Sequence, residues 1–238
     1  MPRFFDGLRA AAGEHSDRET RVILVDDGSS DGTAEAAQAA AGGLALTTLV
    51  HERNRGPGYA FGTAFEHLAG IIGEDDFVVT LEGDNTSRTE LIGTMFKRAG
   101  EERHDAIFAS PYMYGGGILH TRTSRVLMSH VANTFVKELL GLHGLLTVSS
   151  FFRLYRGSTL RRLQRCYGPR VIERNGFESM VEVAMKMTYL RMSISEVPMV
   201  LDTSQRIGKS KMKVSRTALG YLALALRKRE WQSRAPLS

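Results

Sequence analysis

This sequence predicts an α/β fold wound around a mostly parallel sheet, and three observations predict it. Short apolar runs alternate with segments of helical periodicity through the first 110 residues. The runs are apolar at consecutive positions, as strands covered on both faces are. Two of them end in acids on glycine turns, Asp26-Asp27-Gly28 and Glu82-Gly83-Asp84. Open α/β sheets bind ligands beyond the carboxyl ends of their strands.

The elements follow in order. Phe4, Phe5, Leu8 and Ala12 recur at helical spacing over residues 2–13. Residues 21–26 form a strand, and the turn 27–32 leads into a helix over 33–41. Residues 46–51 are a second strand; after the turn Asn54-Arg55-Gly56-Pro57-Gly58 a helix covers 59–69. Residues 77–81 are a third strand, 88–101 a helix and 106–109 a fourth strand. Beyond Ser110 the pattern changes to a glycine loop over 112–117 and a helix over 122–141. A strand then covers 147–155, helices cover 158–166 and 177–190, and a strand covers 194–201. The chain ends in a basic loop and a helix. No long Pro/Ser linker divides it, so the reading is a body over 1–205 and a basic tail over 206–238.

Charge sharpens that division. The 238 residues carry a net charge of +5, but 206–238 hold nine Lys/Arg against Glu230 alone, leaving the body at −3. The single cysteine, Cys166, excludes an intrachain disulfide, and the seven histidines show no zinc spacing. No run of 18 apolar residues exists, and the opening MPRFFDGLRAAAG lacks the apolar stretch of a secretory leader. No helix-turn-helix, zinc-finger or RNP-like pattern appears, so nucleic acid is not expected as a partner.

An acid-x-acid pair on a tight turn aims carboxylate oxygens at one hard cation, and a diphosphate on the substrate supplies further oxygens. Solvated loop acids are the competing reading, since Asp and Gly are ordinary turn residues. Two acidic clusters at one edge of one sheet favour a site.

The segment Val25-Asp-Asp-Gly-Ser-Ser-Asp-Gly-Thr33 resembles the nucleotide-binding loop of family-2 glycosyltransferases with the GT-A fold. Leu81-Glu-Gly-Asp-Asn85 stands where that family has its D-x-D metal motif, and His51-Glu-Arg-Asn-Arg-Gly-Pro-Gly58 resembles its N-x-G-x-G turn. Arg125-x-x-x-Ser129-x-x-x-Asn133, Ser149-Ser-Phe-Phe-Arg153 and Glu196-Val-Pro198 followed by Arg206-Ile-Gly-Lys-Ser-Lys211 are similar to the dolichol-phosphate mannose synthase branch. The resemblance runs from about residue 3 to 229.

The resemblance implies a nucleotide-sugar site at Asp26, Asp27, Asn54 and Gly58, and a Mg²⁺ or Mn²⁺ site at Glu82 and Asp84. It implies a polyprenyl phosphate acceptor held by Arg125, Ser129, Arg206, Ser210 and Lys211. Asp84, Arg125, Arg206 and Glu178 are then the residues closest to catalysis, and Glu178 and Glu182, one helical turn apart, are candidate carboxylates near the sugar. An acceptor phosphate is already anionic, so the protein has to desolvate and orient it rather than deprotonate it.

Three departures stand out. Glu82 replaces the first acid of D-x-D and reaches one methylene further, placing metal binding mainly on Asp84. Ser110-Pro111-Tyr112 lacks the arginine frequent in that stretch, and Leu146-Thr147-Val148 occupies the region of a family aspartate. The family also opens with a strand ahead of its first helix, whereas this chain opens in the helix. The reading is therefore a GT-A domain whose first strand is missing from the sequence, through a displaced start or a fragment, with an open base pocket.

In the tail, Leu219, Leu222 and Leu226 form an apolar stripe widened by Tyr221, Leu224 and Ala225. Arg216 precedes it and Arg227-Lys228-Arg229 follows. That is the pattern of an interfacial helix on anionic lipid, placing the protein at the inner, cytoplasmic face of a membrane. A helix packed on the body is the competing reading. Two other functions stay open: a non-catalytic nucleotide-sugar-binding paralogue, and the same chemistry on a saccharide. Gly56-Pro57-Gly58-x-x-x-Gly62 has the wrong spacing for a dinucleotide-binding oxidoreductase.

Overall fold

The computed structural model describes residues 1–205 and 214–235. Helix α1 (Pro2–Glu14) starts with proline in its first turn and buries Phe4, Phe5 and Ala11. Strand β1 (Arg21–Asp26) pairs in parallel with β2 (Ala45–Val50) around α2 (Thr33–Ala40). Helix α3 (Pro57–Leu68) packs on β1. Strand β3 (Phe77–Thr80), α4 (Leu91–Glu101) and β4 (Ala106–Ser110) follow, and every residue of β4 is buried. The second half holds β5 (Gly117–Leu119), α5 (Thr123–Leu140), β6 (Arg153–Arg156), α6 (Gly157–Tyr167) and α7 (Ser179–Tyr189). It closes with β7 (Ile194–Pro198), β8 (Val200–Asp202), a 3-10 turn (Thr203–Gln205) and α8 (Val214–Arg234).

The α/β reading holds, with three pairings parallel (β1–β2, β4–β7, β5–β8) and β6 running antiparallel between β3 and β4. Among the described residues the sheet is not continuous. The order β3-β6-β4-β7 forms one sheet, and β1-β2 and β5-β8 stand as separate pairs. Val22, Ile23, Leu24 and Val25 of β1 are only half-buried, although four consecutive apolar side chains predict cover on both faces.

Two strands are shorter than their apolar runs predict. The run 147–155 pairs only over β6. Before it, the Ser150 hydroxyl takes the Phe152 N–H at 3.2 Å, and the Leu146 and Thr147 N–H groups are held by the Glu196 carboxylate at 2.6 and 2.7 Å. The run 194–201 breaks at Pro198, which has no N–H to continue a ladder; beyond it β8 pairs with β5.

The core lies behind the second half. Helix α7 is buried on every side by Met180, Val181, Val183, Ala184, Met185 and Met187. Helix α8 packs on α5, α6 and α7 through Leu224 and Trp231, while Leu219, Leu222 and Leu226 face outward. The apolar stripe read from the sequence is therefore two faces: Leu224 belongs to the inner one with Tyr221 and Ala225 partly buried beside it, and only the three leucines form the outer one.

Candidate active site

One cleft of about 1360 Å³ gathers the carboxyl ends of β1 and β3. Asp26, Asp27, Asn54, Glu82, Asp84 and Glu178 all line it. These residues lie up to 152 positions apart in sequence, and the fold brings them to one cleft.

The first acidic pair organises the backbone around the cleft. Asp26 is buried, and its Oδ1 accepts the Ser29 N–H at 2.7 Å, closing its own loop. The Asp27 carboxylate takes the Gly56 N–H at 2.8 Å, the Arg55 N–H at 3.0 Å and His51 Nδ1 at 2.8 Å; His51 Nε2 then meets the Thr63 hydroxyl at 3.0 Å. Gly28 sits at φ +72°, where a Cβ would lie 2.6 Å from the Arg53 carbonyl carbon, so glycine lets the two loops touch. Arg55 lies over the Tyr59 ring, 3.5 Å from its centre, with Arg170 over the same ring at 3.9 Å. Arg55 is a cation at the cleft wall that the sequence reading did not single out.

Gly58 is placed differently from the expectation. It is buried away from the cleft lining, its N–H donates to the Asn175 carbonyl at 2.9 Å, and a Cβ there would lie 2.2 Å from the Arg174 carbonyl oxygen. Its part is to let the turn pack on residues 174–175, which sets the position of its neighbours Asn54 and Gly56.

Glu82 and Asp84 stand across the cleft on the loop after β3. Asp84 Oδ1 accepts the Thr86 N–H at 3.1 Å and the Thr86 hydroxyl at 2.6 Å, which orients its carboxylate. Both side chains make further interactions in the fold. Among the described residues no three or more His, Cys, Asp or Glu side chains gather into a metal-binding group. The donor set is two carboxylates, which suits a hard cation whose remaining ligands come from a diphosphate. On that chemistry Glu82 and Asp84 fit Mg²⁺ or Mn²⁺.

The two glutamates at the start of α7, Glu178 at its N-cap and Glu182 in its first turn, separate in role. Glu178 lines the cleft, is nearly buried, and pairs with Arg174 Nε at 3.4 Å. It lies under α8 at Gly220, where a Cβ would come within 2.7 Å of its carboxyl carbon. Glu182 turns into the core instead. Its oxygens accept the Glu173 and Arg174 N–H groups, both at 2.8 Å, and Lys186 Nζ at 2.5 Å. Glu182 is a structural anchor, not a carboxylate near a sugar.

That anchor extends to α8. Glu173 accepts from Lys186 Nζ at 3.3 Å, Trp231 Nε1 at 3.0 Å, and the guanidiniums of Arg227 and Arg234 at 2.7 and 3.2 Å. Burial pushes the Glu173 carboxyl up, but Lys186, the Trp231 N–H and Arg227 outweigh it and hold it below its ordinary 4.5. The sequence pattern gave no sign of this network, since only tertiary contact joins Glu173 to helices 13 and 58 residues on.

Of the expected acceptor residues, Arg125 is exposed on α5 outside the cleft lining. Ser129 is bonded to the Tyr112 hydroxyl at 2.7 Å, and burial pushes the Tyr112 phenol up. Arg206, Ser210 and Lys211 lie outside the described residues. Thr217, in the first turn of α8, lines the cleft, so α8 begins at the cleft that the acids line. Tyr221 beside it is pushed up to about 12 by burial, with Glu178 adding to the rise.

A wound α/β sheet with two acidic strand ends over one cleft, one of them an acid-x-acid turn, defines an enzyme of the GT-A glycosyltransferase class. The family described as glycosyl transferase family 2 matches residues 1–163, and the chain belongs to it. It is 27% identical over 195 residues to the undecaprenyl-phosphate mannosyltransferase of Micrococcus luteus, covering 82% of this chain and 76% of that protein. It is 26% identical over 227 residues to the polyprenol monophosphomannose synthase of Mycolicibacterium smegmatis, covering 94% and 80%. Among solved structures, glucosyl-3-phosphoglycerate synthase from Mycobacterium tuberculosis with Mn²⁺ and UDP-glucose shares the fold at a TM-score of 0.58 and 17% identity, covering 99% of this chain and 76% of that one. The mannosyltransferase of Pyrobaculum calidifontis with GDP-mannose and Mn²⁺ shares it at 0.55 and 16%, covering 99% and 63%.

Proposed function

We propose that this glycosyltransferase moves a sugar from a nucleoside-diphosphate sugar, of the GDP-mannose or UDP-sugar kind, to a polyprenyl or dolichyl phosphate, with inversion. The observation that carries this reading is that the Asp26-Asp27 loop, the Glu82-x-Asp84 turn and the start of α8 line one cleft. The names of the two polyprenyl-phosphate mannosyltransferase relatives support the acceptor class.

The loop held by Asp26 and Asp27, with Asn54 beside it, takes the nucleoside. Glu82 and Asp84 hold Mg²⁺ or Mn²⁺, which when bound neutralises charge on the departing diphosphate. Arg55 lies on the same wall as a cation for the phosphates. An acceptor phosphate oxygen attacks the anomeric carbon from the face opposite the leaving group, the bond from that carbon to the diphosphate oxygen breaks, and the nucleoside diphosphate departs with the electron pair of that bond. Arg125, Ser129, Arg206, Ser210 and Lys211 orient the acceptor phosphate, and Glu178 stabilises the sugar or its developing positive charge at the cleft.

The acceptor is a lipid, and the exterior fits one. Leu127, Met128, Val131 and Phe135 are exposed on α5, Leu219, Leu222 and Leu226 are exposed on α8, and the two helices touch. No helix among the described residues is long and apolar enough to cross a membrane. The reading is peripheral attachment to an anionic cytoplasmic face through this surface and the basic tail.

Nucleoside diphosphate release tests it. Release from GDP-mannose or a UDP-sugar should require both Mn²⁺ and polyprenyl phosphate. Release without lipid but with a saccharide would point to the other acceptor class. Metal-independent binding of the nucleotide sugar without release from any donor would favour a binding module, the reading that Glu82 in place of aspartate supports.

A further inference from the structure

His51 is the first residue after β2, and three segments of the chain meet at it. Its N–H donates to the Asp26 carbonyl at 2.9 Å, which fixes its backbone beside the loop after β1. Its Nδ1 lies 2.8 Å from Asp27 Oδ1, and its Nε2 lies 3.0 Å from the hydroxyl of Thr63 in the second turn of α3. Its ring meets the Tyr59 ring at 73°, with the centres 4.9 Å apart. The His51 and Asp27 side chains are 11% and 16% exposed, so water competes little for the bond between them.

The direction of that bond follows from chemistry. An ionised carboxylate only accepts, so Nδ1 carries a proton and donates it. The Thr63 hydroxyl can donate or accept, so it suits Nε2 with or without a proton. The bond to Asp27 therefore forms with the neutral ring and with the imidazolium alike. Asp27 receives two contacts on each oxygen: His51 Nδ1 and the Arg55 N–H on Oδ1, and the Gly56 and Arg55 N–H groups on Oδ2. A carboxylate has about four lone-pair sites, so Asp27 is spent on the turn and acts on a ligand through it.

Both routes out of His51 end at Arg55, the cation of the cleft wall. Asp27 holds the Arg55 backbone. Tyr59, packed on the His51 ring, carries the Arg55 guanidinium 3.5 Å from its ring centre and accepts from Arg55 Nη1 through its hydroxyl. A free arginine side chain loses much rotamer freedom on binding, and holding it in place beforehand removes part of that cost.

We propose that His51 is a positioning residue for the donor's diphosphate: it orients Asp27 and braces Tyr59, and together these set Arg55. The inference rests on the reading of Arg55 as the cation for the donor phosphates. Asparagine places an amide N–H near the position of Nδ1, and glutamine near that of Nε2, so the two substitutions separate the two bonds of the ring.

Calorimetric titration of the full chain with GDP and with UDP, in the presence of Mn²⁺, reads it. His51→Gln, which keeps only the Thr63 side, should weaken the tighter nucleotide about tenfold, as loss of one charge-assisted hydrogen bond requires. His51→Asn should recover the affinity to within about threefold of wild type. Beside Arg55→Ala, His51→Gln should change the affinity less than about twofold, because the group it positions is gone. Equal loss in the Asn and Gln variants, no loss in the Gln variant, or a full loss persisting beside Arg55→Ala would overturn the proposal. Amide exchange at residues 55–56 distinguishes this from failure of the donor reading. It should quicken in His51→Gln and stay slow in His51→Asn, whether or not a nucleotide binds. That pattern in a chain that binds neither GDP nor UDP would overturn the donor reading and uphold the brace, whereas equal exchange in the two variants would overturn the brace.

Discussion

Trp231 donates its indole N–H to the Glu173 carboxylate at 3.0 Å, and this bond joins α8 to the loop that supports the turn over residues 54–58. Glu173 begins the stretch 173–176 on which Gly56 and Gly58 rest, and Trp231 is fully buried in α8. Trp231 is the sole tryptophan of the chain, so its emission reports how α8 sits.

The Glu173 carboxyl is held below its ordinary 4.5. A carboxyl lowered by folding contributes stability that is fully present above its unfolded value and is lost as pH falls through the folded one. Red-shifting of Trp231 emission is therefore expected to begin below pH 4.5. In Glu173→Gln the emission at pH 7 should already be shifted, with a weaker acid step. A variant with the wild-type profile would remove Glu173 as the anchor.

Glu182 and Lys186 are both fully buried and paired. Removing one partner strands the other charge, at a cost of about 3–5 kcal/mol. Lys186→Met should lower the urea midpoint strongly, and Glu182→Gln with Lys186→Met together should recover much of that loss. Additive losses in the double variant would contradict a coupled pair.

A methyl group at position 58 would meet the Arg174 carbonyl oxygen at 2.2 Å. Gly58→Ala is expected to displace the turn at a cost of about 1–3 kcal/mol, with KM for the nucleotide sugar rising more than kcat falls. Gly43→Ala, which meets no neighbour but has φ +92°, serves as a control for backbone strain without contact. Equal KM values in the two variants would show that the contact does not shape the donor site.

The outward leucines separate membrane attachment from folding. Leu222→Glu and Leu226→Glu change exposed positions and should leave the unfolding free energy within about 0.5 kcal/mol of wild type. Sedimentation with vesicles containing anionic lipid should fall several-fold. Leu224→Glu, at a fully buried position, should instead unfold the tail. Unchanged vesicle binding in the exposed pair would remove α8 from the membrane surface.

Much of the first half was legible because its strands are local apolar runs and its turns carry their own glycines and acids. Asp26, Asp27, Glu82 and Asp84 could be placed together because ligands of α/β folds bind beyond the carboxyl ends of strands, and both pairs follow a strand directly. The second half was less legible where tertiary contacts decide. Ser150 and Glu196 claim backbone groups that an apolar run would give to a strand, and Pro198 divides another. Gly58 read as a ligand-facing glycine, yet what it accommodates is another loop. Glu178 and Glu182 are one helical turn apart in sequence, but Glu178 sits at the N-cap of α7 and borders the cleft, while Lys186 and the N–H groups of residues 173–174 hold Glu182 in the core.

The most direct measurement is transfer of radiolabelled sugar from its nucleotide into the organic phase, with polyprenyl phosphate and Mn²⁺ present. Wild-type protein should label the lipid, chelation should stop it, and Asp84→Ala should lower the rate by at least about a hundredfold, as loss of charge stabilisation on the leaving group requires. Labelling that persists undiminished in Asp84→Ala, or lipid that stays unlabelled with every common donor, would contradict the proposed reaction.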